Sequence, residues 1–363
     1  MNTFKYYFNR LFNWYFKPKS LENRLWKFAL LFLTIGIGGG LYNGINFTWK
    51  YSFDQSVNIE YSTKDSVAAI VTYGAFLLGV LFTLLASYLG LNRERRNPNV
   101  FIEHIGIRYP KNQSLTEAAK IRTGLGSTLF IDITSYYEEG LLISNNKALD
   151  FSLSCFKNTF TNLVRNADTT NVSLHYGGTP SVPIGFALGH SIGNISKVVL
   201  WDFNRDKSEW YALEDSAPDS NTSTIEWDEY KGEEEVCLLM GMSFDVSKRQ
   251  VGNLLNGRGV ITVSMNDVKY DSMNSLAKIE SFQQEFRNVL KKLNSDGVKR
   301  IHIFCAAQAS FNFAMGRQIE RNHPECVIYE YVNNSENNTH YPWGVLINVL
   351  GQAPIVIEPR ILV

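Results

Sequence analysis

Two long apolar stretches open the chain. Leu25 to Phe47 and Val67 to Leu91 run nearly free of charge, and each is long enough to cross a hydrocarbon core of ~30 Å as a helix. Beyond them, short β-branched runs alternate with amphipathic stretches. Leu129 to Thr134, Val172 to Tyr176, Val198 to Phe203, Val236 to Met242, Val260 to Val263, Lys299 to Cys305 and Val327 to Tyr331 read as strands. Lys147 to Asn166, Pro183 to Asn194, Ser247 to Leu255, Ser275 to Leu293 and Phe311 to Arg321 read as helices. The stretch from Glu214 to Glu235 is polar and reads as a loop that separates two halves. Such alternation predicts an α/β fold with parallel sheets and helices on both faces.

The two halves share a repeat. Phe186-Ala187-Leu188-Gly189-His190-Ser191-Ile192 returns as Phe313-Ala314-Met315-Gly316-Arg317-Gln318-Ile319, with a β-branched strand ahead of each copy and another behind it. The unit is strand, small-residue loop, helix, strand. Because a βαβ crossover requires parallel pairing, and such sheets bind ligands at the carboxyl ends of their strands, the duplication predicts a pseudo-twofold pocket suited to a ligand that itself repeats. The repeated phrase, lying mid-helix, is expected to pack against the sheet.

Charge placement adds an orientation. Lys5, Arg10, Lys17, Lys19, Arg24 and Lys27 precede the first span and Arg93, Arg95 and Arg96 follow the second, which puts both ends of the chain on the cytoplasmic side. A signal peptide is the rival reading of the first span, but the basic lead-in is long and no small-residue cleavage pattern follows. Residues 1–24 mix basic residues with Phe4, Tyr6, Tyr7, Phe8, Phe12, Trp14, Tyr15 and Phe16, the composition of a segment lying along the inner leaflet, with a disordered tail as the other reading. Gly36, Gly40 and Gly44 recur at four-residue spacing in the first span, a small-residue face for helix packing, and Ala75 and Gly79 repeat it weakly in the second. The expected organisation is 1–24 interfacial segment, 25–91 two spans and a periplasmic loop, 92–125 linker and start of the soluble domain, 126–215 first half, 216–235 polar connection and 236–363 second half.

The four cysteines, Cys155, Cys237, Cys305 and Cys326, stand singly in apolar patterns and fit core thiols in a reducing compartment rather than a metal site. A net charge of zero speaks against a general surface for polymeric nucleic acid. The chain has no H-E-x-x-H, no P-loop, no G-x-S-x-G and no recognisable Cys-His signature. No catalytic residue and no cofactor is therefore assigned. His175 and His302 hold equivalent places in the repeated strands and read as structural.

Candidate ligand contacts follow from the repeat. Gly177, Gly178, Thr179 and Ser181 form the turn before the first repeated helix, with Ser181 a candidate N-cap. Ala307, Gln308 and Ser310 form the matching turn, with Ser310 in the capping role. Free amides and the dipole at such helix starts favour phosphate. Trp201 and Tyr329, next to the acids Asp202 and Glu330, together with Trp343, are either core or stacking surfaces for bases. Arg258, set between Gly257 and Gly259, is either a rim cation or a solvated arginine. Ser243 and Asp245 follow the first strand of the second half and should flank the same crevice.

The paired elements HYGGTPSVPIGFALGHSIG…VVLWDF and IHIFCAAQASFNFAMGRQIE…CVIYEYVN, closed by YPWGVLIN, resemble a SAVED domain, a fusion of two CARF-like Rossmann units. The resemblance covers about residues 125 to 350, and two spans ahead of it are similar to the transmembrane-SAVED effectors of bacterial CBASS anti-phage systems. The first copy departs from the second in carrying Gly177-Gly178 where the second has Cys305-Ala306. The resemblance implies a non-enzymatic receptor for a cyclic di- or trinucleotide made by a partner CD-NTase nucleotidyltransferase. It implies a homo-oligomer whose membrane helices breach the inner membrane and cause abortive infection. Two alternatives stand beside it: an enzyme that degrades its own cyclic ligand, and a membrane-tethered nucleotide sensor outside immunity.

Overall fold

The computed structural model of the chain describes residues 21–42, 47–52, 55–59, 66–96, 99–107, 114–163, 172–194, 197–333 and 340–358. The chain divides into two compact units between Arg96 and Asn97. The first unit holds helix α1 (Leu21–Tyr42), a hairpin of β1 (Phe47–Ser52) and β2 (Gln55–Ile59), and helix α2 (Ser66–Arg96). α1 ends at Tyr42 and Phe47 opens β1, so the first helix is shorter than the apolar pattern suggested. Among the described residues, Ile70–Gly90 is long and apolar enough to cross a bilayer, and Leu25–Gly38 is a shorter apolar stretch.

Glycines let the two helices close on each other. A Cβ on Gly36 would lie 2.7 Å from Cα of Phe76, and one on Gly79 would lie 2.8 Å from the backbone nitrogen of Leu33, the close backbone approach that small residues permit between membrane helices. Gly40 lies further along α1; Gly44 falls outside the described residues. Leu30, Ile70, Leu77 and Leu84 are exposed, as side chains facing lipid would be.

Among the described residues the second unit contains two large sheets and one two-stranded sheet. In the first lobe come β3 (Asn99–Ile105), α3 (Leu115–Thr123), β4 (Ser127–Asp132), a small hairpin of β5 (Tyr137–Glu138) and β6 (Leu141–Leu142), α4 (Asn145–Leu163), β7 (Ser173–Gly178), α5 (Val182–Ile192), β8 (Lys197–Asn204) and β9 (Glu209–Ala212). Its main sheet runs β4-β3-β7-β8-β9, parallel except for the antiparallel edge β9.

The second lobe has β10 (Ser223–Glu229), β11 (Glu235–Gly241), the short α6 (Lys248–Val251), β12 (Gly259–Met265), α7 (Leu276–Ser295), β13 (Arg300–Ala306), α8 (Ala309–Gly316), β14 (Glu325–Glu330), β15 (Trp343–Ile347) and β16 (Ile355–Ile357). Its sheet order is β10-β12-β11-β13-β14-β15-β16, with β12, β11, β13 and β14 parallel and antiparallel strands at both edges.

Period-2 alternation sorts each strand between two layers. Val100 and Ile102 of β3, Leu174 and Tyr176 of β7, Val236, Leu238 and Met240 of β11, and Ile301 and Ile303 of β13 face one continuous core shared by both lobes. Their neighbours face outward into smaller clusters. Phe101 and Trp201 pack in one of these beneath α3, and Cys237, Leu239, Phe304 and Tyr329 pack in the other. The cysteines are free, and burial raises the thiol pKa of Cys237, Cys305 and Cys326.

Two stretches read as linker or loop carry strands. β3 lies in the expected linker, and its Glu103 and His104 break what would otherwise be an apolar run. Both are buried, Glu103 accepting from the backbone and hydroxyl of Thr116 and His104 bonding Ser152 at 3.2 Å. β10 lies in the polar connection. As an edge strand it has one wet face, and Thr224 and Glu226 alternate with the half-buried Ile225 and Trp227.

The repeated helices also meet differently from expectation. α5 and α8 pack on each other as well as on the sheets, glycine against carbonyl. A Cβ on Gly189 would lie 2.1 Å from the Phe313 oxygen, and one on Gly316 would lie 2.1 Å from the Phe186 oxygen. Tyr176 stacks on Phe313 with ring centres 3.6 Å apart. The second helix is shorter than its pattern, ending at Gly316, with Gln318 and Ile319 bonded back to Met315 and Gly316 in turns.

Candidate functional site

Because α5 and α8 are pseudo-twofold copies held face to face, their N-terminal ends come out at the carboxyl ends of β7 and β13. Ser181 is the N-cap of α5 and Gln308 the N-cap of α8, and neither side chain caps its own helix. The Ser181 hydroxyl and the Gln308 side-chain nitrogen are buried without a hydrogen bond of normal geometry among the described residues, the Ser181 hydroxyl lying beside the Tyr137 hydroxyl. Buried polar atoms are nearly always paired in folded proteins. Asn145 Oδ1, His175 Nε2, Asn274 Oδ1 and Ser275 Oγ are also unpartnered, but Ser181 and Gln308 hold equivalent places at the two repeated helix starts.

The acids that follow the repeat cross between lobes. Asp202 of β8 accepts from the Ser310 hydroxyl in α8 at 2.8 Å, and Glu330 of β14 accepts from the Val182 backbone N–H in α5 at 3.0 Å. Each lobe thus supplies a carboxyl to the other lobe's helix. Desolvation raises Asp202 to about 7, against the lowering effect of the Ser310 bond and of Arg205. Desolvation likewise raises Glu330 to about 8, against the Val182 amide. Carboxyls near neutrality at helix starts leave room for a ligand's own negative charge.

Around this axis the neighbouring turns are tied in. Ser181 donates its backbone N–H to the Tyr137 hydroxyl at 3.1 Å, and burial raises the Tyr137 pKa. Thr179 accepts from the Gly106 backbone at its hydroxyl and from the Ile107 backbone at its carbonyl, locking the β3 and β7 ends together. Gln308 Oε1 accepts from the Ser243 hydroxyl at 3.4 Å and from the Met273 backbone at 3.3 Å. Ala307 is half-buried and its carbonyl accepts from Asn312, while Asp245 is exposed just beyond Ser243.

Ser243 and Gln308 bond each other, and Thr179, Ser181, Ala307 and Ser310 follow the carboxyl ends of β7 and β13, with Asp245 two residues after Ser243. Ser310 is the second residue of α8, and Gln308 rather than Ser310 takes the N-cap. Gly177 and Gly178 are the last two residues of β7 rather than part of the turn, and they are not open to a ligand. A Cβ on Gly177 would meet the Trp210 ring at 2.8 Å and one on Gly178 the His104 oxygen at 2.2 Å, so packing explains both.

Three aromatics belong to the core. Trp201 is 3% exposed and donates to His175 at 3.3 Å. Tyr329 is 2% exposed, stacked on Phe304 with centres 4.7 Å apart and bonded to His302 at 2.9 Å. Trp343 is 5% exposed and pairs with Glu330 across β14 and β15. Apolar neighbours on both sides of a buried sheet claim such rings before a ligand can.

Arg258 lies at the wrong end. It bonds Glu235 at 2.8 Å and the Leu254 carbonyl at 2.6 Å. Glu235 sits at the amino end of β11, opposite Arg300, whereas Gly241 and Ala306 mark the carboxyl end. A strand of this length separates the two by ~20 Å.

Sequence reasoning noticed Asp202 and Glu330 only as neighbours of the aromatics. Their equivalent positions in both copies were the signal for the crossing carboxyls. Among the described residues no group of three or more His, Cys, Asp or Glu could hold a metal, and His175 and His302 are held neutral, each lowered to about 4 chiefly by desolvation.

Residues 156–347 match the SMODS-associated and fused to various effectors sensor domain, SAVED, over more than half of the chain. The chain belongs to the SAVED family. Residues 1–149 match the SAVED-fused 2TM effector domain, so a SAVED sensor follows a membrane-spanning N-terminal effector region. The SAVED match begins inside α4, and β3 and β4 fall in the effector match although they build the first lobe's sheet.

Solved structures similar to this SAVED protein include the Acinetobacter baumannii Cap4 SAVED/CARF-domain containing receptor with the cyclic trinucleotide 2′3′3′-cAAA, at 12% identity and TM-score 0.45, covering 74% of this chain and 60% of that one. The same receptor with 3′3′3′-cAAA gives 13%, 0.45, 74% and 57%. The Moraxella osloensis Cap4 receptor gives 13%, 0.41, 74% and 56%. The chain thus spans about 60% or less of the length of these relatives. No curated protein matches it in sequence.

Proposed function

We propose that this SAVED protein is a receptor for a cyclic di- or trinucleotide, bound where the N-terminal ends of α5 and α8 emerge together. The observation that carries the reading is the pair of buried polar atoms on Ser181 and Gln308 without a normal hydrogen bond, placed at equivalent positions of a duplicated unit. A cyclic oligonucleotide repeats a phosphate and a base around a ring. A pseudo-twofold pair of helix starts offers it two equivalent phosphate positions. Thr179, Ser181, Ser243, Ala307, Gln308 and Ser310 are the assigned contacts, and Asp245 lies at the rim.

Reception leads to a membrane response. The basic residues outside both apolar segments support a cytoplasmic N-terminus and sensor, with α1 and α2 crossing the inner membrane. Ligand binding draws copies of the sensor together, and the attached helices then breach the bilayer in abortive infection. No catalytic step is required of the chain, and the ligand comes from a partner CD-NTase nucleotidyltransferase. Calorimetry of the full-length protein in detergent against a panel of cyclic di- and trinucleotides tests the first step. Binding of none of them overturns the reading. Ligand-triggered dye release from liposomes carrying the protein tests the second.

A further inference from the structure

Beside the start of α8, two large rings stand outside every core cluster. Phe244, in the bend that leaves β11, is 62% exposed, and Tyr270, in the turn between β12 and α7, is 46% exposed. Their rings meet edge-on with centres 6.4 Å apart. From the first lobe, Arg205 in the β8–β9 turn sets its guanidinium 4.7 Å from the centre of the Tyr270 ring. Single exposed hydrophobic residues are ordinary. Two in contact, joined by a cation from the opposite lobe and carried on loops at the carboxyl ends of parallel strands, make a built surface.

This surface is anchored to the candidate site. Ser243, one residue before Phe244, and Met273, in the same turn as Tyr270, both donate to Oε1 of Gln308. Both ring-bearing loops are therefore held by the N-cap of α8, and a phosphate at that helix start would carry its attached nucleoside past them.

Resting on the cyclic oligonucleotide reading above, we propose that Phe244 and Tyr270 form the platform on which one base of the ligand stacks, with Arg205 closing the platform from the first lobe. Aromatic faces take any base, and a guanidinium beside them serves both the ring and a neighbouring phosphate. The platform belongs to the second lobe and so breaks the pseudo-twofold symmetry: one base of the ring is gripped by aromatics.

The test compares full-length wild type, Phe244→Leu, Tyr270→Leu and Phe244→Trp in detergent, titrated with 3′3′3′-cAAA, 2′3′3′-cAAA and cyclic dinucleotides. Leucine keeps bulk and removes the ring; tryptophan keeps a ring. The expected result is affinity weakened about 5- to 150-fold by each leucine and kept by tryptophan, with thermal unfolding unchanged in Phe244→Leu because that side chain is exposed. If wild type binds and both leucine variants bind equally well, the platform is wrong and the receptor reading survives. If wild type binds no member of the panel, both fall.

Discussion

Gly189 lies so close to Phe313 that a Cβ there would come within 2.1 Å of the Phe313 carbonyl oxygen, and the repeat returns the same contact between Gly316 and Phe186. The duplicated phrase is thus its own binding partner. Phe-Ala-x-Gly places an aromatic on the core and a glycine under the other helix's backbone, and two copies interlock. That contact aligns the two helix starts, and with them Ser181, Gln308 and the crossing acids Asp202 and Glu330.

Filling either glycine should therefore separate the lobes. Gly189→Ala and Gly316→Ala are each expected to destabilise the protein by about 1–3 kcal/mol or more, since backbone rather than a flexible side chain must move. The double variant should cost less than the sum, because both changes open one interface. Thermal unfolding of the three variants reads this directly; additive losses would mean that the contacts are independent.

At Ser181 stability and binding should part company. Neither Ser181 Oγ nor Gln308 Nε2 has a hydrogen bond of normal geometry among the described residues, so Ser181→Ala removes no cap bond and should leave the melting temperature unchanged or raised. Ligand affinity should fall about 2- to 10-fold for Ser181→Ala and for Gln308→Ala. A drop in stability of the kind seen when a helix cap is lost, with affinity intact, would reassign Ser181 to a structural role.

What could be read before folding was mostly what burial writes in a regular period. The parallel strands from β7 to β14 are apolar enough on both faces to stand out, and the repeat exposed their pairing. β3 was hidden because Glu103 and His104 are buried in it with partners from Thr116 and Ser152, and local pattern cannot announce a partner distant in sequence. β10 was hidden by its wet face. At the helix starts, residue type pointed to the N-cap position of Ser181, whereas Gln308 holds the one expected for Ser310. Residue type pointed badly to Trp201, Tyr329 and Trp343, because an aromatic next to a strand end looks the same whether neighbouring strands or solvent cover it.

The crossing acids predict a pH dependence. An acid whose folded pKa lies above its unfolded value keeps a proton that the unfolded chain has released, so stability falls as pH rises between the two values. For Asp202 that window runs from 3.8 to about 7, and for Glu330 from 4.5 to about 8. Asp202→Asn and Glu330→Gln keep an acceptor for Ser310 and Val182 but cannot ionise. Both should lie nearest to wild type in thermal unfolding at about pH 4 and exceed it increasingly as pH rises, up to about pH 7 for Asp202→Asn and about pH 8 for Glu330→Gln. Parallel pH profiles would show that neither acid is desolvated as described. Ligand affinity should likewise rise as pH falls from 8 to 6, because an ionised carboxylate beside a bound phosphate is repulsive.

In the membrane unit, Gly36 and Gly79 set the approach of α1 and α2. Gly36→Ile and Gly79→Ile push a branched side chain into Phe76 and Leu33, and small residues are what allow membrane helices this contact. Ligand-triggered dye release from liposomes should be lost in both variants while calorimetric ligand affinity is unchanged. Full release from either variant would mean that this helix pair need not stay closed for the response.

Arg258 provides the sharpest contrast between reading a chain and seeing it folded. Its place between two glycines suggested an adaptable rim cation, yet its guanidinium is spent on Glu235 and the Leu254 carbonyl at the amino end of the second sheet. Glu235 also bonds His302 at 3.1 Å, so Arg258 holds a carboxylate that in turn orients a buried imidazole. The pair is partly exposed, with 24% and 38% of the two side chains accessible, which limits its worth to about 1 kcal/mol. Arg258→Ala should lower stability by roughly that amount and leave cyclic nucleotide affinity unchanged at every salt concentration. A loss of affinity that deepens at low salt would instead place the ligand at the amino end of the sheet and move the site away from Ser181 and Gln308.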